Sequence, residues 1–135
     1  MTDVAAMLLA YPGKLEHFDQ DELVLCVQAC LNCAQTCTAC ADACVAEPNT
    51  AELARCVSVC LDCADVTQTT TRTLSRQTGY DAKVVAALLR ACDEVCRACY
   101  DECRKHAMHH EHCRVCAEAC RRCANACRKL LASIP

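Results

Sequence analysis

Residues 26–44 read Cys26-Val27-Gln28-Ala29-Cys30-Leu31-Asn32-Cys33-Ala34-Gln35-Thr36-Cys37-Thr38-Ala39-Cys40-Ala41-Asp42-Ala43-Cys44. The thiols step by four, three, four, three and four residues, a mean of about 3.5 against an α-helical repeat of about 3.6. Six sulfurs therefore share one stripe of one helix, the seam that a coiled coil fills with Leu and Ile. A seam of Cys fills less volume and presents a column of soft ligands.

The pattern recurs three times. The first long helix is expected over residues 19–46. A second, over 50–77, carries Cys56, Cys60 and Cys63, and its seam continues with Thr67, Thr70 and Leu74. A third, over 81–106, opens with Val85 and Leu89 and turns to Cys92, Cys96, Cys99 and Cys103. A fourth, over 109–133, carries Cys113, Cys116, Cys120, Cys123 and Cys127, then Leu130 and Ile134. Asp19 followed by Glu22 has the spacing of a capping box. Glu47-Pro48-Asn49-Thr50 stops the first helix and caps the second. Gly79 suits the C′ position after the second helix, and Asp81 suits the N-cap of the third. No Gly or Pro marks the last turn. It is placed near residues 105–109 because the steps become three and three across His110, Cys113 and Cys116. Residues 2–10 can form a short apolar helix, ended by Tyr11-Pro12-Gly13, that braces the main body.

The chain has 135 residues, with two Gly, three Pro and 3 % aromatics. That composition is too poor in turn formers for a many-stranded protein and favours helix. The expected fold is all-α: one domain over residues 1–135, an antiparallel up-down-up-down four-helix bundle over about 19–134 with a short N-terminal helix. The net charge of −3, with acids and bases interspersed, points to no nucleic-acid partner and no membrane-surface patch. Residues 1–10 lack a basic n-region and a long apolar run, and no twin-arginine signal is present. No segment reads as long and apolar enough to span a bilayer. Eighteen Cys in a secreted chain would read as a disulfide scaffold, but thiols on one helix stripe point the same way and suit a shared metal better. The expectation is a cytoplasmic protein with reduced thiols.

In such a bundle the ends of the first and third helices lie beside the starts of the second and fourth. The Cys then gather toward that end, while Leu23, Thr70, Leu74, Val85, Leu89, Leu130 and Ile134 gather at the other. The predicted object is a tube of thiols, closed by an apolar plug and opening at a rim that holds His106, Met108, His109, His110 and His112. A single buried Cys is ordinarily a small core hydrophobe. Eighteen in register would leave voids that cost several kcal/mol per large-to-small replacement, so something should occupy the space.

Soft thiolates select Cu(I), Zn(II) and iron–sulfur clusters. Zn sites and iron–sulfur signatures usually sit on loops and knuckles. Helical neighbours roughly 5–6 Å apart at Cβ can clasp one ion between their sulfurs. One Cu⁺ per thiolate is neutral, so an array of many ions is tolerable in a buried core, whereas each tetrathiolate Zn(II) is a dianion. The residues thus point to a non-enzymatic chain that holds multiple Cu(I) ions. The alternatives are an iron–sulfur electron-transfer protein, Zn or Cd sequestration, and a disulfide-stapled bundle.

The ladders of Cys26 to Cys44 and Cys113 to Cys127, the apolar closed end and the His-bearing mouth resemble the cytosolic bacterial copper storage proteins over about residues 19–134. The resemblance implies Cu(I) held along the core by all eighteen Cys, uptake at the open end and a homotetramer of bundles. A copper chaperone is the corresponding partner, as donor or acceptor. His106 and His110 continue the third helix's step pattern after Cys103 and are the first choice of rim ligands; His109, four before Cys113, is the next. Met108 is read as a surface or packing residue, and His17 is given no role. The hydroxyls of residues 67–73 are expected to bond back to helix carbonyls. Asp62 and Asp65 are expected to be solvated, and Arg114, Arg121, Arg122 and Arg128 to form surface or inter-subunit pairs.

Overall fold

The structure, a computed structural model, describes residues 2–135. Five α-helices follow in order: α1 (Asp3–Leu9), α2 (Gln20–Ala46), α3 (Ala54–Leu74), α4 (Ala82–Arg104) and α5 (Glu111–Ala132), with a 3-10 turn at Thr50–Leu53 leading into α3. α2 to α5 form the bundle. Each packs against its chain neighbours, and α5 closes the ring against α2. The connections are too short for anything but antiparallel neighbours.

Local chemistry sets the helix ends. Asp19 caps α2 by accepting the Glu22 N–H at 3.0 Å. Asp81 caps α4 by accepting the N–H groups of Lys83 and Val84 at 3.0 and 3.4 Å. Three expectations need correction. Gly79 is not a C′ residue: α3 stops at Leu74, and among the described residues no Gly has positive φ. The hydroxyl of Ser75 donates to the Thr71 carbonyl at 2.7 Å, and the amide of Gln77 donates to the Leu74 carbonyl at 2.8 Å. Those bonds satisfy end carbonyls that a left-handed glycine would otherwise serve. Asn49 makes no side-chain cap, and the chain enters α3 through the 3-10 turn instead. Finally, α2 is long and apolar enough to cross a membrane by length and composition, with a mean hydropathy of 1.4 over its best window. Cys counts as apolar on such a scale, and here the Cys stripe faces the bundle interior.

The closed end is built as the seams indicate. Leu23, Leu74, Leu89 and Leu130 are at most 2 % exposed, Val85 is buried in the same core, and partly buried Ile134 packs against it. α1 lies across α2 and contributes Leu8 to the core. Tyr11 Oη sits 3.0 Å from Thr78 Oγ1, tying the N-terminal segment to the loop before α4. At the same loop His17 stacks on Tyr80, with ring centroids 4.0 Å apart, and Phe18 meets Tyr80 edge-on. The run of Thr in α3 bonds back to its own helix: Thr67 donates to the Cys63 carbonyl at 2.7 Å, and Thr70 to the Val66 carbonyl at 2.7 Å. Thr67 and Thr70 are wholly buried, so this self-satisfaction is what lets them sit in the core.

Candidate metal centre

Four helices project eighteen thiols into one column because every ladder keeps the helical repeat. All eighteen are free and buried, with exposures of 0–2 %. Just above the plug, Cys26 Sγ lies 3.9 Å from Cys127. Next, Cys30 meets Cys92 at 3.9 Å, Cys127 at 3.8 Å and Cys123 at 3.6 Å. Halfway up, Cys33, Cys37, Cys63 and Cys120 converge, and Cys96 stands 3.8 Å from Cys63. Higher again, Cys103 touches Cys56 and Cys60 at 3.6 Å and Cys99 at 3.8 Å. Cys116 lies 3.6 Å from Cys37 and 3.8 Å from Cys60. At the mouth, the sulfurs of Cys40, Cys44, Cys56 and Cys113 all lie within 4.8 Å of one another. Every sulfur is thus within a ligand-sharing distance of others from different helices.

The mouth is framed by a carboxylate and two imidazoles. Glu47, which follows α2, places Oε2 2.5 Å from His110 Nδ1 and 2.8 Å from His112 Nε2. The second nitrogen of His112, Nδ1, faces inward, 3.4 Å from Cys40 Sγ and 3.6 Å from Cys113 Sγ. His110 is the residue before α5, yet it makes no side-chain cap; its ring is engaged by Glu47. His106 instead turns to its own helix, with Nε2 3.0 Å from Glu102 Oε2. His109 is exposed, and Met108 is 93 % exposed. Asp62 and Asp65 are exposed, as expected. Arg114 pairs with Glu111, Arg121 with Glu118 at 2.9 Å and Arg128 with Asp93 at 3.3 Å.

The structure brings all eighteen Cys together; His112, which the sequence places at the rim but not among the chosen ligands, stands nearest the thiols, and Glu47 has no functional reading in the sequence. His112 lies one residue off the α5 seam, so its step pattern carries no signal. Its adjacency to Cys113, at the first turn of a helix, is the one hint. Glu47 reads as a helix stop because Pro48 follows it.

The electrostatics of the mouth favour thiolate at particular sulfurs. Hydrogen bonding by Cys103 pulls the Cys40 thiol down to about 3, against an opposing bond from Cys116. Cys103 likewise lowers Cys56 to about 7. Burial pushes Cys44 and Cys113 upward. Among the four mouth sulfurs, Cys40 and Cys56 are therefore the ones disposed toward thiolate, the form that binds metal. Burial works to lower His112, but bonds to Cys40 and Glu47 outweigh it and raise the imidazole. The same contact with His112 holds the Glu47 carboxyl below its ordinary value. The raised value favours the imidazolium; on loss of the Nδ1 proton, with Nε2–H kept toward Glu47, the ring would aim a lone pair at the thiols. That is the arrangement of a carboxylate-oriented metal-binding imidazole.

The family profile described as copper storage protein matches residues 19–132. Among solved structures, a copper storage protein from Streptomyces lividans, described as loaded with 10 copper equivalents, is 54 % identical, covers 97 % of this chain and 99 % of its own, and superposes with a TM-score of 0.95. Another Streptomyces lividans structure, of a cytosolic copper storage protein with five coppers, is 58 % identical over 83 % of this chain and 93 % of its own, with a TM-score of 0.82. The Cu(I)-bound copper storage protein BsCsp3 is 30 % identical over 78 % of this chain and 93 % of its own, with a TM-score of 0.69. No curated protein sequence matches the chain.

Proposed function

The chain belongs to the copper storage protein family, and on that premise we propose that it is a cytosolic store that holds many Cu(I) ions on the thiolates of its core. The observation that carries the reading is the unbroken column of eighteen buried, unbridged thiols from Cys26 and Cys127 at the plug to Cys44 and Cys113 at the mouth. Soft, monovalent Cu(I) suits both the ligands and the charge. One ion per thiolate leaves a neutral core, which a buried column without Lys or Arg requires. Each Cu⁺ bound displaces a thiol proton, so loading acidifies an unbuffered solution and weakens in acid.

The eighteen Cys are taken as the storage ligands and His112 as the imidazole that passes copper inward, because its Nδ1 stands against Cys40 and Cys113. His110 shares the Glu47 carboxylate and acts beside it at the rim. His106, held by Glu102, and exposed His109 are placed for a first encounter with the ion rather than for its storage. Residues 1–135 act as one storage domain with no catalytic role. Exposed apolar side chains on α2 and α3, Leu25, Leu31 and Leu61, support assembly into the homotetramer that the family resemblance implies. A copper chaperone would meet the chain at the His112 mouth.

Anaerobic titration of the reduced protein with Cu(I), with metal counted at saturation, tests the reading. Binding should continue to the order of one ion per thiolate and give a colourless product with ultraviolet thiolate–copper absorption. Saturation at one or two ions, or a brown protein with broad visible bands, rejects the store.

A further inference from the structure

Halfway along the column, four thiols form a figure that a monovalent ion does not require. Of the six sulfur–sulfur separations among Cys33, Cys37, Cys63 and Cys120, five are short. Cys33 lies 3.8 Å from each of Cys37, Cys63 and Cys120, Cys37 lies 3.6 Å from Cys120, and Cys63 lies 4.0 Å from Cys120. The sixth, Cys37 to Cys63, is within 4.8 Å. A regular tetrathiolate zinc site, with Zn–S of about 2.3 Å, has edges of about 3.8 Å. All four sulfurs are wholly buried, and they come from α2, α3 and α5, so helix packing has already paid for their convergence.

We propose that in the copper-free protein the Cys33, Cys37, Cys63 and Cys120 tetrad binds Zn(II), and that Cu(I) displaces this ion as the column fills. The chemistry is ligand exchange without redox change. Four S–H bonds break, four Zn–S bonds form and four protons leave to solvent. The resulting dianion is costly in a dry core, but one such centre is supported by its neighbours. The thiol of Cys116 donates to Cys37 at 3.6 Å, while Cys99 and Cys96 lie 3.9 Å from Cys37 and 3.8 Å from Cys63. Cys63 donates to Cys96 in the metal-free form; once Cys63 is ionised that bond reverses, and S–H groups of the three neighbours can then spread the excess charge. The ion also fills and cross-ties three helices where small side chains leave the core short of volume. Softer Cu(I), neutral with each thiolate, then relieves the dianion as it replaces zinc. The zinc site rests on the geometry of the tetrad, and its displacement rests on the copper-storing reading.

The test uses the reduced, full-length chain under anaerobic conditions, with Co(II) as the geometric probe and Zn(II) for the count. One equivalent of Co(II) should produce the intense visible d–d bands of a tetrahedral tetrathiolate, and one Zn(II) per chain should bleach them and raise the thermal midpoint. Cys33→Ser combined with Cys63→Ser should abolish the bands, and Cys44→Ser at the mouth should leave them. If the double variant loses its helical circular dichroism, Cys63→Ser alone, checked for native helicity, should shift the bands toward a three-sulfur spectrum. Adding Cu(I) to the zinc form should release the Zn(II) to a chromophoric chelator. A pale six-coordinate Co(II) spectrum overturns the proposal, as does zinc lost on desalting. So does a site that survives the mid-bundle substitutions and vanishes with Cys44→Ser, or zinc that excess Cu(I) leaves in place. Copper capacity is counted in a separate titration, so neither result decides the other.

Discussion

At the residue scale, the role proposed for His112 and Glu47 separates uptake from storage. Replacing either leaves all eighteen thiols in place, so the final copper count of His112→Ala or Glu47→Gln should equal that of the parent. What should change is the arrival of the first ions. Loss of an outer-shell partner of a metal-binding imidazole typically costs tenfold to a hundredfold in affinity or rate. Stopped-flow absorption after mixing with one Cu(I) equivalent should show a slowing of about that size for both variants. Equal rates would mean that copper bypasses the imidazole. The same measurement has a pH signature. Bonding by Cys103 holds both Cys40 and Cys56 below the ordinary thiol value, so first-ion uptake should persist at neutral pH and weaken on acidification as the coupled thiolates of the mouth take up protons. Glu102 offers a stability counterpart. His106 lowers its carboxyl, with Lys105 assisting and burial opposing. A lowered acid contributes stability that is fully present above its unfolded value, 4.5, and is lost as pH falls through the folded value. Glu102→Gln should therefore flatten the acid limb of apo-protein unfolding and cost about 1–3 kcal/mol near neutrality, since Arg55, Lys105 and His106 lose the negative charge they share.

Elements were legible to different degrees, for physical reasons. The Cys ladders give away four helices because a three-and-four step has meaning only on a helix, and eighteen markers fix each rotation. The end of α3 was not legible. Arg76, Gln77 and Thr78 are adequate helix residues; the helix yields at Leu74 because Ser75 and Gln77 side chains take over its carbonyls. The turn after α4 was located by phase alone, but which imidazole faces the thiols depends on a short loop whose bonds, such as the His110 amide to the His106 carbonyl at 3.0 Å, leave no mark on periodicity. The plug was legible as apolar seam positions. Its energy belongs to the elements it joins: Leu89→Ala, at a wholly buried site on α4, should destabilise the apo bundle by about 2–5 kcal/mol in denaturant unfolding. Removing the α4 cap with Asp81→Ala should cost about 1 kcal/mol. Neither substitution touches a thiol, so neither should lower the number of Cu(I) bound at saturation.

For the whole molecule, the apo chain has enough ordinary structure to fold before metal arrives: capped helices, a leucine-filled end and the brace of α1. Far-UV circular dichroism of the metal-free, reduced protein should be strongly helical. Cu(I) should bind the ordered column of the folded state more tightly than the scattered thiols of the unfolded chain, so the thermal midpoint should climb with each addition and fall back when acid and a chelator strip the metal. An apo protein that is unstructured, and gains helix only on loading, would contradict this account.

The leucine plug has one more consequence, for time rather than for space. On the proposed uptake at the mouth, a column sealed by Leu23, Leu74, Leu89 and Leu130 would work as a stack: ions that arrive first would be pressed inward, and ions that arrive last would stand nearest the exit. If a chain is half filled with one copper isotope and topped up with another, a chelator should draw out the second isotope before the first. The store would then carry a record of the order in which its contents were acquired.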